Sequence, residues 1–487
     1  MSTPTPSSVV PQTRPAAEPP RPGARRRPWL KPLVMRLHFY AGIFVAPFIL
    51  LAAVTGAAYS VTPQLERVIY AHELNGSGTA ETPMASLESQ LSAAQRHTND
   101  AAVVAVRPAQ DATHSTRVMY ADPEDTDGGQ RTVFVDPVSA EVLGSFNTYT
   151  SVGQTPMRHW LEGFHSSLQL GEPGRIYSEI AASWLGVIAA AGLFLWLWTW
   201  GKSKRAARRD LLRPALKQTG YRRARSLHTS VGIWALVAML FLSATGITWS
   251  QWAGNNVTEL RAALSWTAPK LTSTLGGAPA GGGGGAHAEH GGMAAPTEGN
   301  QWSDPAAFTQ VLSLARMSNI DGNQLEIRPP ADQGSAWVVK ETRAQFPVKA
   351  DQIAIDRANG TVVDRLDFND QNLPSQLATL GINLHMGELF GIWNQVGLLL
   401  VALAIIVIIL AGYRTWYLRR PQGLRLRDKK PPFRPFAVPW WGWALFGAAG
   451  LGLGLFLPAL GLTLTAFVLC DVVLMLTRGA RSRRLAA

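Results

Sequence analysis

Four histidines stand at positions whose pattern suits metal chemistry. His38 opens the stretch Leu37-His38-Phe39-Tyr40-Ala41-Gly42, and His228 opens Leu227-His228 with Gly232 in the matching place. The two stretches then run to Thr55-Gly56 and Thr245-Gly246, displaced by 190 positions without a gap. His165 and His385 form a second set. Gly171-Glu172-Pro173-Gly174-Arg175 follows the first, and Gly387-Glu388-Leu389-Phe390-Gly391 the second. Two imidazoles approaching from opposite sides can fill both axial positions of a haem iron. A glycine four residues on shares the helix face of the histidine, so Gly42 and Gly232 leave room for a flat macrocycle. Arg36, Arg225 and Arg175 are placed to meet propionates. The plainer reading is that a histidine near a span end hydrogen-bonds at the interface while glycines serve helix packing. Repetition of the whole set, in two pairs at opposite depths, favours ligation.

Elements that cross a bilayer must carry these residues. Of 487 residues 47% are hydrophobic and only 16% charged. Six apolar stretches approach the roughly 17–25 residues that a hydrocarbon core requires: 37–61, 180–200, 229–251, 392–413, 440–457 and 460–476. The net charge of +12 resides in loops beside them, at Arg25–Arg27, Lys202–Arg225, Arg414–Arg434 and Arg478–Arg484. That placement argues against nucleic acid as a partner and puts those loops, with both termini, on the cytoplasmic side. The long segments 63–179 and 252–391 then lie outside. The lone cysteine, Cys470, excludes an internal disulfide, a covalent haem motif and a thiolate-held cluster.

The outer segments read as small α+β domains. Helical patterns at 87–96 and 305–316 precede β-hairpin signals at 131–144 and 352–363. The expected fold is therefore a polytopic α-helical membrane protein of two parallel repeats, each helix–domain–helix, forming a four-helix core. A C-terminal two-helix hairpin (439–459 and 460–477) is added, with a cytoplasmic tail at 478–487. Residues 1–29 read as a disordered tail, 30–62 as the first span, and 201–228 and 414–438 as basic inner loops. The glycine-rich loop 276–293 carries His287 and His290 and reads as a linker rather than a metal site. Asp471, inside the last span, is a default functional candidate, or a partner for Thr463 or Thr465. Gly450 and Gly454 form a packing face. No Walker or dinucleotide-binding glycine motif and no hydrolase motif is present.

At Leu37-His38 to Thr55-Gly56, Phe164-His165 to Gly174-Arg175, Leu227-His228 to Thr245-Gly246 and Leu384-His385 to Gly391 the chain resembles the PepSY-associated transmembrane family. The hairpins at Val135-Asp136 and Ile355-Asp356 resemble PepSY modules. The resemblance implies ferric-siderophore reductases and iron-regulated inner-membrane proteins with two non-covalent haem b groups. His38, His228, His165 and His385 would be the iron ligands, and His159 stands near enough to His165 to replace or orient it. The implied partners are a periplasmic ferric siderophore and an electron donor that is cytoplasmic or a quinol. Two other readings compete: a non-enzymatic membrane regulator that uses the outer modules for binding, and a siderophore or copper transporter. A transporter needs polar groups near the midplane, and spans one to four are almost wholly apolar there.

Overall fold

A proline decides the shape of the first span. Helix α1 (Leu30–Phe44) stops at Val45 and α2 (Ala46–Ser60) restarts with Pro47 in its first turn, the two axes meeting at 58°. Pro47 has no N–H to give to the preceding turn, and its ring clashes with the carbonyl four residues back. The stretch expected as one span is thus a broken one. The computed structural model describes residues 29–98, 101–150, 152–203, 205–275, 304–419 and 438–484.

After α2 come α3 (Thr62–Ile69), α4 (Ala71–Leu74) and α5 (Leu87–His97), then strands β1 (Val103–Arg107), β2 (Thr116–Ala121), β3 (Gln130–Val135) and β4 (Val142–Thr148). Helix α6 (Pro156–Ser167) leads into α7 (Gly171–Lys202), and α8 (Arg205–Leu212) lies within what the sequence suggested was a plain loop. Then follow α9 (Gly220–Thr248), α10 (Trp252–Ala263), α11 (Pro305–Met317) and strands β5 (Leu325–Arg328), β6 (Trp337–Glu341), β7 (Gln352–Asp356) and β8 (Thr361–Leu366). The chain closes with α12 (Leu373–His385), α13 (Ile392–Leu418), α14 (Trp440–Phe456) and α15 (Pro458–Arg484).

Among the described residues three helices are long and apolar enough to cross a membrane: α7 with 32 residues, α9 with 29 and α13 with 27. The bent pair α1–α2 makes a fourth, whereas the apolar parts of α14 and α15 are shorter than a full span, against the six expected. Large apolar side chains such as Val237, Leu400 and Leu462 face outward, as a helix against lipid requires. Gly454 lies against Gly461 and lets α14 and α15 approach closely. The tail before residue 29, the loop with His287 and His290, and residues 420–437 fall outside the described residues.

The eight strands form one sheet, in the order β4-β3-β2-β1-β5-β6-β7-β8, antiparallel throughout. Two α+β units were expected; the structure joins them where Val106 of β1 pairs with Ile327 of β5. One face is covered by α5 and α11, whose Leu91, Phe308 and Val311 share a single core with Val106, Val118, Val133, Ile327, Val339 and Ile353. Sharing that core is the reason to join: each four-stranded unit has only one helix to cover it, and docking edge to edge removes an exposed strand edge from each.

Candidate functional site: two histidine pairs

The histidines lie at two levels of the bundle. His38 on α1 and His228 on α9 occupy the end remote from the sheet, with ring centres 6.0 Å apart and planes at 75°. His38 Nδ1 lies 3.1 Å from the Ile188 carbonyl of α7, and His228 Nδ1 lies 2.9 Å from the Ile408 carbonyl of α13. A carbonyl oxygen can only accept, so each Nδ1 carries the proton and each Nε2 keeps its lone pair.

Glycine makes these contacts possible. A Cβ on Gly192 would lie 3.3 Å from the His38 ring, and one on Gly412 would lie 3.3 Å from the ring of His228. Each glycine sits four residues after the carbonyl that receives the imidazole, where a side chain would crowd the approach. The sequence reading missed both. The signal was there, because Ile188 and Ile408, Gly192 and Gly412, and His165 and His385 all share one displacement of 220.

The second level lies nearer the sheet. His165, near the end of α6, has Nδ1 3.0 Å from the Thr55 hydroxyl; His385, the last residue of α12, has Nδ1 2.6 Å from the Thr245 hydroxyl. Both hydroxyls donate to the preceding turn of their own helix, Thr55 to Leu51 O at 2.9 Å and Thr245 to Phe241 O at 2.9 Å. A hydroxyl engaged in this way keeps a lone pair for Nδ1–H, and in that tautomer Nε2 is left unprotonated. Burial, with His165 close by, pushes the His385 imidazole down to about 3, so it stays neutral. The chain from His38 to Thr55 covers 17 residues, so the levels are at most roughly 25 Å apart.

The remaining candidates divide. A Cβ on Gly42 or Gly232 would meet nothing within 4 Å, so both positions border open space beside the inner pair. Arg175 donates to the Trp249 carbonyl at 3.1 Å, and the Trp249 ring stands edge-on to His385 at 4.8 Å, which puts Arg175 next to the outer pair. Arg36 lies over the Tyr40 ring and forms an ion pair with Asp471 of α15, which ties it to the trailing hairpin. The same contact answers what Asp471 does; Thr463 instead accepts a hydrogen bond from Trp184. His159 stacks on Tyr149, just past the end of β4, with ring centres 4.0 Å apart.

Just above the outer pair Arg158 bridges two carboxylates, Glu66 at 2.7 Å and Glu388 at 3.0 Å, tying α6 to α3 and to the loop after α12. Burial pushes the Glu388 carboxyl up, against the pull of Arg158. Among the described residues no three His, Cys, Asp or Glu side chains converge on a possible metal position. Two imidazoles complete only a metal that arrives with its other donors already attached, as iron in a porphyrin does.

Apolar helices with histidine pairs, roofed by an antiparallel sheet, define a multi-pass helical membrane protein with a β-layer outside the bilayer. The chain belongs to the PepSY-associated TM region family, whose model matches residues 35–419, from just before His38 to the end of α13. Helices α14 and α15 lie beyond that match. No curated protein matches the chain.

Proposed function

We propose that this protein is a dihaem electron conduit of the bacterial inner membrane that reduces a ferric chelate, such as a ferric siderophore, on its periplasmic side. The observation that carries the reading is the oxygen set against Nδ1 of all four histidines. Each Nδ1 is tied to a fixed acceptor, which orients the ring and leaves Nε2 as a ligand nitrogen, the arrangement that metal-binding histidines share. Two imidazoles bound to one metal at about 2 Å each have ring centres roughly 6 Å apart, and the inner rings are 6.0 Å apart. His38 and His228 would hold one haem and His165 and His385 the other. When bound, haem supplies reversible one-electron exchange.

The chain's own part is positional. Gly192 and Gly412 let the inner rings reach their carbonyl acceptors, Thr55 and Thr245 orient the outer rings, and the apolar helices exclude water from both levels. Gly42 and Gly232 leave space beside the inner rings, and Arg175 is a basic group beside the outer pair. Ferrous iron is held less tightly than ferric iron by hard oxygen donors, so one-electron reduction on the outer side releases the metal from its chelator. The electron donor would be cytoplasmic or a membrane quinol, and basic loops beside the spans support termini on the cytoplasmic side.

The test is a reduced-minus-oxidised absorption spectrum of the purified full chain, with porphyrin iron quantified per chain. Sharp bands of a bis-imidazole haem at about two per chain are expected, one set lost in His38→Ala and the other in His385→Ala. A folded, colourless protein made with ample haem overturns the reading.

A further inference from the structure

The sheet has a second face, and it is basic. Strand residues alternate between faces. Val106, Val118, Ile327 and Val339 point to the helix-covered core, so Arg107, Arg117, Glu326, Arg328 and Lys340 point the other way. These five cluster where β2, β1, β5 and β6 run side by side across the seam. Arg107 and Arg117 are direct cross-strand partners, and Glu326 is the cross-strand partner of Lys340.

Glu326 is fully enclosed and is the carboxylate on which three cations converge: Arg107 at 2.6 Å, Arg328 at 2.6 Å and Lys340 at 3.4 Å. Arg117 is different. Its guanidinium lies over the Phe134 ring at 5.8 Å and makes no ion pair or hydrogen bond with any described residue. Like charges directly opposite each other on neighbouring strands destabilise a sheet. A recessed Arg–Arg cross-strand pair, with Glu326 shared among three cations and the nearby Glu66 already paired with Arg158, is a poor solution for stability alone. It suits a surface that awaits negative charge. The four cations still reach solvent, with Arg107 13%, Lys340 20% and Arg328 30% exposed at the side chain and Arg117 half-buried. The face is turned towards the membrane helices, since Arg107 also donates to the Val152 carbonyl at 2.8 Å and Arg117 senses Glu66 and Arg158.

We infer that this face is a binding platform for a small polyanion of the carboxylate class, with Arg117 as its principal anchor and Arg107, Arg328 and Lys340 as flanking charge. Guanidinium groups recognise carboxylates through paired hydrogen bonds that an ammonium cannot reproduce. As the identity of a substrate, an anionic ferric chelate, the inference rests on the proposed reductase function; as a binding site it does not.

The experiment uses the full chain in lipid nanodiscs and a redox-inert probe, gallium(III) citrate, followed by titration calorimetry. Saturable binding is expected, weakening as salt is raised and falling at least about tenfold in Arg117→Gln, the loss of one charge-assisted contact. Lys340→Gln, at a more open position, should weaken it less, and a cationic gallium hydroxamate chelate should bind no better to the wild type than to Arg117→Gln. Equal affinity for both gallium complexes, or citrate binding unchanged in Arg117→Gln and Lys340→Gln alike, would overturn the inference. Because gallium accepts no electron, a colourless protein that still binds the citrate complex through Arg117 sinks the reductase and keeps the platform.

Discussion

Replacing Glu326 by Gln keeps the volume of the side chain and removes the charge that Arg107, Arg328 and Lys340 surround. Burial alone would raise the carboxyl; Arg107, Lys340 and Arg328 outweigh it and hold it at about 2, against 4.5 for an ordinary glutamate. At 1.36 kcal/mol per pKa unit this difference amounts to roughly 3 kcal/mol. The figure agrees with the roughly 3–5 kcal/mol lost when one partner of a buried ion pair is removed. Glu326 lies at the seam, beside the pairing of Val106 with Ile327, so the effect should appear as local opening there. Native-state hydrogen exchange of the β1 and β5 amides is the assay, and about 3 kcal/mol corresponds to exchange roughly a hundredfold faster. The sign with pH is fixed by the depressed pKa. The stabilisation is complete above pH 4.5 and is lost as pH falls towards about 2 in the wild type, while the Gln variant lacks this loss. Seam amides equally protected in both proteins, or an identical acid profile, would refute the electrostatic account of the seam.

Three further outcomes follow from the geometry. Gly192→Ala and Gly412→Ala should displace the His38 and His228 rings and lower haem content even with haem in excess, while Gly42→Ala and Gly232→Ala, with nothing within 4 Å of the new methyl, should leave the thermal unfolding of haem-free protein unchanged and affect only haem loading. Thr55→Val and Thr245→Val remove the acceptors of the outer rings, and haem affinity at that level should fall by about 10–100-fold in a competition titration. Asp471→Asn removes the charge paired with an Arg36 side chain that is 8% exposed, so the melting temperature in detergent should drop, and Arg36→Met in the same chain should restore part of it.

The helices and strands were largely legible because their signals are local. The alternating residues around Val133 and Ile353 mark strands, and the apolar run 392–413 marks α13, without reference to anything distant. Pro47 was equally visible but was absorbed into a long apolar run, whose hydropathy hides a kink. The joining of two sheets was not legible, since an edge-to-edge pairing of β1 with β5 leaves no periodic trace in either strand. The histidines announced themselves by repetition. Their acceptors did not, because a backbone carbonyl has no residue type, and only the glycines at 192 and 412 record that something approaches there. The ion pair of Arg36 with Asp471 was not legible for a related reason. A basic residue near a span end is common, and Asp471 lies 435 positions away in a helix outside the repeat.

The continuous ladder from β4 to β8 has a mechanical consequence. A hydrogen-bonded plate resists shear and stretch in its own plane, and this one is riveted at its middle by Arg107 of β1 and Glu326 of β5. The two halves of the chain hang from it as paired legs. One half cannot swing away from the other on the sheet side without tearing the plate. A frame of that kind suits parts whose spacing must stay constant, and it works against a gate.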